Sequence, residues 1–362
     1  MSGWNVIFYV LAAKDVDASA RKAIEDIQAS LRTESSDRCR VAFELHTATE
    51  RTRYWLTSDL VETASVRAAS QHDMLENLLG ETATRWPKAD RTALVLLGHG
   101  SGLDSIEGGA PVAFSLKNLL IGPDQDGTGL SNPDIKRVIA QAAPRIDVLA
   151  FNACVMGMLE IEWEMADAVD VVVAAEIDDD VWPHGAIIGS LMSAPELPSP
   201  EALARTIVTQ AQSVPAPNVA VAASRSYGLK RLADAVDALA GALLPLLDEH
   251  FSAIDDAIQK APPASGVFLD LALLANALGT VDATTRQPAA DVVAMLDETV
   301  IEKTTRGRGA QLSGVSLLCP IARQIQVATA YTGLGFDNRR WRDFLVAYDT
   351  KGRQMSGSHA AE

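Results

Sequence analysis

Two apolar runs in this chain end on residues capable of acyl-transfer chemistry. Thr92-Ala93-Leu94-Val95-Leu96-Leu97 leads into Gly98-His99-Gly100, and Val148-Leu149-Ala150-Phe151 leads into Asn152-Ala153-Cys154. Branched apolar runs of this length are the signature of strands buried on both faces. Parallel strands deliver their C-terminal ends to one edge of a sheet, where α/β proteins place their sites. His99 and Cys154 are therefore expected to meet on that edge. A thiol with an imidazole there suggests a cysteine hydrolase, the imidazole serving as general acid and base. Taken alone, neither residue is decisive. Free cysteines are mostly inert core residues, and a lone histidine is more often satisfied by backbone in a core.

The elements that must position the pair follow from periodicity. Residues 5–12 and 40–45 read as strands, residues 53–57 as a short antiparallel partner, and residues 170–175 as another buried strand. Between them, helical spacing covers residues 17–32, 70–84, 134–143 and 156–169. Ser131-Asn132-Pro133 supplies a capping residue and a proline in the order a helix start requires. Alternation of this kind predicts an α/β fold with a mainly parallel sheet and helices on both faces. A helix beginning directly behind Cys154 would favour its thiolate.

After residue 200 the pattern changes. A helix over 200–213 and a strand over 218–223 precede long Ala/Leu-rich helical stretches over 229–259 and 268–278. A further helix covers about 288–303, a strand 315–319 and a last helix 341–348. The expected organisation is a catalytic domain over 1–223, a C-terminal helical subdomain over 224–350 that returns a strand near 313–319, and a flexible polar tail over 351–362.

Composition narrows the class. The 362 residues are 48% hydrophobic and 22% charged, enough for a large core. A net charge of −16 argues against nucleic-acid and anionic-membrane partners. Cys39, Cys154 and Cys319 are too few for a disulfide framework and suit a reducing compartment. The first residues lack a basic signal-peptide start, and no apolar run is long enough to span a bilayer. A cytoplasmic chain is the expectation.

The ordered set His99-Gly100-Ser101-Gly102, then Asn152-Ala153-Cys154-Val155-Met156-Gly157-Met158, then the acidic turn from Glu176 to Asp180 ending in Trp182-Pro183, resembles the clostripain-like cysteine peptidases of the caspase, gingipain and legumain fold. The opening strand and the segment from Leu312 to Pro320 resemble the family as well. The resemblance implies a caspase-like fold and a cysteine endopeptidase with a Cys154–His99 dyad and an acyl-enzyme intermediate. It implies an oxyanion hole from the Gly100 and Cys154 N–H groups. It further implies a pocket for a basic side chain, Arg ahead of Lys, from Asn152, Asp178, Asp179, Asp180 and Trp182. Counting back from Trp182, Asp180 takes the place of the family's second pocket acid. Asn152 stands where the family has its first, and His184 replaces the usual aromatic after Trp-Pro.

Protein or peptide substrates follow, with an activating or regulatory protein as a further partner and a regulated precursor as the form made. The glycine-bearing stretch 103–116 is expected to be a mobile loop beside the site, and Lys117 the candidate processing position. No cofactor or metal is called for. Asp124-Gln125-Asp126-Gly127 hints at calcium, but Ile135 stands where an EF-hand needs an acid, which leaves only a looser calcium site open. Two other readings fit the same residues: a catalytically silent caspase-fold binding module, and a cysteine amidase or acyltransferase. Intact His99 and Cys154 weigh against the first, and the acidic turn before Trp182-Pro183 against the second.

Overall fold

The computed structural model describes residues 3–12, 15–33, 38–47, 49–67, 69–100, 120–121, 130–143, 145–319, 331 and 334–359. The loop over 103–116, Lys117 and the Asp124 to Gly129 segment lie outside the described residues.

Among the described residues there are fourteen strands: β1 (Trp4–Leu11), β2 (Cys39–His46), β3 (Arg51–Leu56), β4 (Val61–Ser65), β5 (Arg91–Gly98), β6 (Leu120–Ile121), β7 (Leu130–Ser131), β8 (Val148–Asn152), β9 (Val171–Ala175), β10 (Val219–Arg225), β11 (Pro263–Ser265), β12 (Phe268–Asp270), β13 (Val300–Arg306) and β14 (Ser316–Leu318). Nine of them make one sheet in the order β13-β10-β9-β8-β5-β1-β2-β3-β4. The centre, β9-β8-β5-β1-β2, is parallel, while β3 and β4 close one edge antiparallel and β10 runs antiparallel between β9 and β13.

The parallel centre is buried on both sides because helices cover both faces. Val6, Phe8 and Val10 of β1 join a cluster with α1 (Asp17–Arg32), α5 (His184–Ser193) and α6 (Pro200–Ala211). Ile7, Tyr9 and Leu11 point the other way, into a larger cluster. That face carries α2 (Gln71–Arg85), α3 (Asn132–Gln141), α4 (Leu159–Met165), α7 (Ser226–Leu243), α8 (Phe251–Lys260), α9 (Leu271–Leu278), α10 (Ala283–Thr299) and α11 (Arg340–His359). Several helix starts follow from local chemistry. Ser70 accepts the Asp73 N–H at 3.1 Å to open α2, Ser131 with Pro133 opens α3, and Ser199 with Pro200 opens α6. Each such cap stabilises by about 1 kcal/mol.

The C-terminal half departs from expectation. Its helices share a core with the sheet: Leu229, Leu274, Leu317 and Phe344 belong to the same apolar cluster as Leu94 and Phe151. The stretch over 229–259 is two helices, broken at Leu244–Leu246, which contains Pro245. The helix expected to reach residue 303 stops at Thr299, and the chain continues as β13 at the sheet edge. β-branched Val300, Ile301, Thr304 and Thr305 favour that strand, and an edge tolerates Glu302 and Lys303. The strand near 315–319 does return, as β14, but it pairs with β12 in a small three-stranded sheet rather than with the main one. The tail expected to be flexible from residue 351 is helical through His359, with Lys351 paired to Asp248 and Arg353 to Asp349.

Candidate active site

Strand register sets the geometry. β5 and β8 are parallel neighbours with Leu97 opposite Asn152. Two residues beyond that level the chain reaches His99 on one strand and Cys154 on the other, so the edge holds both. Gly100 lies against Cys154 so closely that a side chain there would collide with the Cys154 backbone; this approach requires glycine. Behind the cysteine, Val155 takes φ 57°, a left-handed conformation that a β-branched residue adopts only under strain of roughly 1–3 kcal/mol. Its N–H bonds Ile177 O at 3.1 Å, and the Gly157 N–H bonds Ala175 O at 2.7 Å. The strained elbow is thus pinned to the end of β9.

Cys154 is partly accessible, while Cys39 and Cys319 are buried, and burial pushes Cys39 up to about 12 and Cys319 well above the usual thiol range. The helix expected directly behind Cys154 starts only at Leu159 and is seven residues long. The thiol is accordingly raised, chiefly by burial, with Asp179 and Asp178 adding repulsion to the thiolate. Two backbone groups oppose this: the Asp179 N–H, 3.2 Å from Sγ, and the Gly100 N–H. These local donors, and not a helix terminus, are what favours the thiolate here.

His99 is 42% exposed. Its Nε2 lies 3.0 Å from Oδ1 and 3.0 Å from Oδ2 of Asp15, a residue with no role in the reading of the motifs. Asp15 follows β1, whose Leu11 pairs with Gly98, so it stands beside His99 only because β1 is the neighbour of β5. No short-range signal in the sequence contains that adjacency.

The acidic turn closes the other side. Asp178 and Asp180 are exposed and Asp179 is half-buried. Asp180 Oδ1 accepts the Val181 N–H at 2.8 Å. Burial raises the Asp179 carboxyl to about 7, against the hydrogen bonds it receives. Asn152 is 4% exposed, and all its bonding capacity is used. Nδ2 donates to Asp179 Oδ2 at 3.0 Å and to Asp180 O at 2.8 Å. Oδ1 accepts the Trp182 N–H and the His184 ring, both at 3.0 Å. Burial holds His184 down to about 3, so its ring is neutral and Nε2 is the donor. Trp182 is 2% exposed, in the α5-side core. Asn152 and Trp182 support the turn from beneath. Asp178 and Asp180 are left facing solvent.

The family profile for the clostripain family, peptidase family C11, matches residues 45–314, more than half of the chain. The chain belongs to the clostripain family. It is therefore a cysteine peptidase by family. Among solved structures it is similar to an inactive zymogen C11 protease from Parabacteroides distasonis, at 15% identity and TM-score 0.65 over 88% of this chain and 92% of that one. It is also similar to a secreted C11 cysteine protease from Bacteroides thetaiotaomicron in complex with an irreversible peptide inhibitor, at 16% identity and TM-score 0.66 over 97% and 100%. A second structure of a secreted C11 protease from that organism matches at 13% identity and TM-score 0.68 over 95% and 99%. At these identities the likeness is one of fold, and it extends along nearly the whole chain. Comparison with curated protein sequences finds no match. Clostripain-family membership makes proteins or peptides the substrates, and no described helix is long and apolar enough to cross a membrane.

Proposed function

We propose that this clostripain-family chain hydrolyses peptide bonds through Cys154 and His99, and that it favours bonds following a basic side chain. The register of β5 against β8 carries the reading: it brings an imidazole and a thiol to one sheet edge, with N–H donors around the sulfur. His99 takes the thiol proton, and the thiolate attacks the scissile carbonyl. The imidazolium then protonates the leaving amine, and water cleaves the acyl-enzyme. The Gly100 and Cys154 N–H groups face the carbonyl oxygen as it gains charge, each such donor being worth about 3–4 kcal/mol. Apart from water, every group in this reaction is a protein group, and the proposal includes no cofactor.

A basic preference is supported by Asp178 and Asp180, exposed in the turn whose Asp179 N–H bonds the sulfur, and Arg suits a carboxylate better than Lys because it bonds through two N–H groups. Synthesis as a precursor opened near Lys117, control by a partner protein and residence in the cytoplasm complete the proposal. The cysteine count supports the last of these; the two Bacteroides thetaiotaomicron proteins are described as secreted.

The test is cleavage of a peptide library by wild type and Cys154→Ala, with cut bonds mapped by mass spectrometry. Cuts after Arg and Lys by wild type alone are expected. Equal cutting after Arg, Lys and Leu would remove the basic pocket, and cutting by Cys154→Ala would remove the nucleophile.

A further inference from the structure

His99 has two ring nitrogens, and the structure commits one of them. Nε2 is 3.0 Å from both oxygens of Asp15, an arrangement in which the carboxylate can only accept. A neutral imidazole held this way carries its proton on Nε2 and its lone pair on Nδ1. The placement follows from the sheet: β1 lies beside β5 with Leu11 at the level of Gly98, so the first turn after β1 delivers Asp15 to the residue after β5. Asp15 is 68% exposed. Its carboxyl is held below the usual carboxylate range, first by the His99 hydrogen bond and further by backbone N–H groups of residues 15 and 16.

We propose that Asp15 is the positioning residue of the site, fixing the His99 ring so that Nδ1 alone exchanges protons with the Cys154 sulfur and the departing amine. The inference rests on the Cys154–His99 reading above. In acylation the Nδ1 lone pair takes the S–H proton and the sulfur pair forms the S–C bond. As the C–N bond breaks, the proton on Nδ1 passes to the amine nitrogen. Asp15 stays ionised throughout, holding the Nε2–H and offsetting the charge of the imidazolium. The contact is exposed, so its effect is smaller than that of a buried carboxylate in the same role.

The experiment combines a tautomer measurement with a kinetic split on the full chain. With 15N-labelled histidine, and His99 assigned by the signals lost in His99→Gln, wild type should show neutral His99 as the Nε2–H form. Asp15→Asn, which keeps an acceptor oxygen, should retain that form, and Asp15→Ala should give a mixture. On a peptide amide, Asp15→Ala should lower kcat about five- to tenfold with KM unchanged. On an activated ester of the same acyl group the loss should be at least about threefold smaller, because the sulfur still gives its proton to Nδ1 but the leaving group needs none. An unchanged tautomer in Asp15→Ala overturns the proposal, as does an equal loss on amide and ester. Cys154→Ala run alongside separates the two levels: if it still cleaves the peptide, the catalytic reading fails, whereas the tautomer result still reports on Asp15 itself.

Discussion

Two acidic segments flank the sheet edge, and they use the same side chain in opposite ways. The turn at Asp178, Asp179 and Asp180 follows β9 and turns two of its three carboxylates to solvent. The short helix α4 follows β8 and buries Glu160, Glu162 and Glu164. Glu160 accepts the Leu318 N–H at 2.9 Å and the Tyr331 hydroxyl at 2.9 Å, and Glu164 accepts the Phe336 N–H at 3.1 Å. Glu176, at the end of β9, accepts the Gly314 N–H at 2.8 Å. Glu160, Glu164 and Glu176 fasten the C-terminal segment to the sheet, whereas the exposed acids lie in the turn whose Asp179 N–H bonds the sulfur. Burial raises Glu160 to about 7, Glu162 to about 8 and Glu176 well above the usual range, so these groups hold protons where an exposed aspartate has lost its own. The difference teaches that an acid's role here is set by which side of the core it faces.

The largest expected effect falls at the centre of the exposed region. Cys154→Ala should reduce peptide hydrolysis by at least about a thousandfold while leaving Tm close to wild type, because a partly accessible thiol contributes little packing. A steady-state assay beside a thermal melt checks both halves; a large drop in Tm would move Cys154 into the structural class.

Asn152 joins the two roles, and Asn152→Asp sharpens the contrast. The family pattern of two pocket acids would lead one to expect better binding of basic substrates. The hydrogen bonds lead elsewhere: a carboxylate at 152 would face the Asp179 carboxylate and the Asp180 carbonyl, both of which now accept from Nδ2. The variant should lose about 1–3 kcal/mol of stability at neutral pH, measured by urea unfolding. A gain in kcat/KM on Arg peptides with unchanged stability would show that the turn rearranges freely.

Asp180→Ala should lower kcat/KM on Arg peptides about tenfold and leave Tm unchanged. Glu160→Gln should do the reverse, changing Tm and sparing the preference for Arg over Leu. If the two variants behave alike, the division between exposed and buried acids is wrong.

The pH dependence of stability tests the buried acids as a group. The folded state holds protons on Glu160, Glu162 and Asp179 that the unfolded chain releases near pH 4. Above that pH the unfolded state binds fewer protons than the folded one, so stability falls as pH rises, up to the folded values at about 7 to 8. Tm should decline by several degrees between pH 5 and 8, and Glu162→Gln should flatten the decline. A Tm that rises over this range would mean these carboxyls are ionised in the folded protein.

Much of this protein was determined by the sequence itself. Apolar runs such as 92–97 and 148–151 can satisfy their backbone and hide their side chains only as central strands, and their spacing with helices requires a parallel sheet. The helices at 17–32 and 200–211 carry their apolar stripes locally, and Ser199 with Pro200 opens the second. His99 and Cys154 were legible because each ends such a run. What the sequence could not contain is adjacency. β13 and the exposed β4 have no apolar pattern of their own and exist because a sheet edge is there to pair with. Asp15 meets His99 only once β1 lies beside β5, and Asn152 spends its amide on a turn formed by residues nearly thirty positions later. The raised thiol of Cys154 and the retained protons of Glu160 and Glu162 likewise depend on burial, which the packed core imposes. Periodicity and caps act over a few residues, whereas charge state and hydrogen-bond partners are set by whatever the fold brings near.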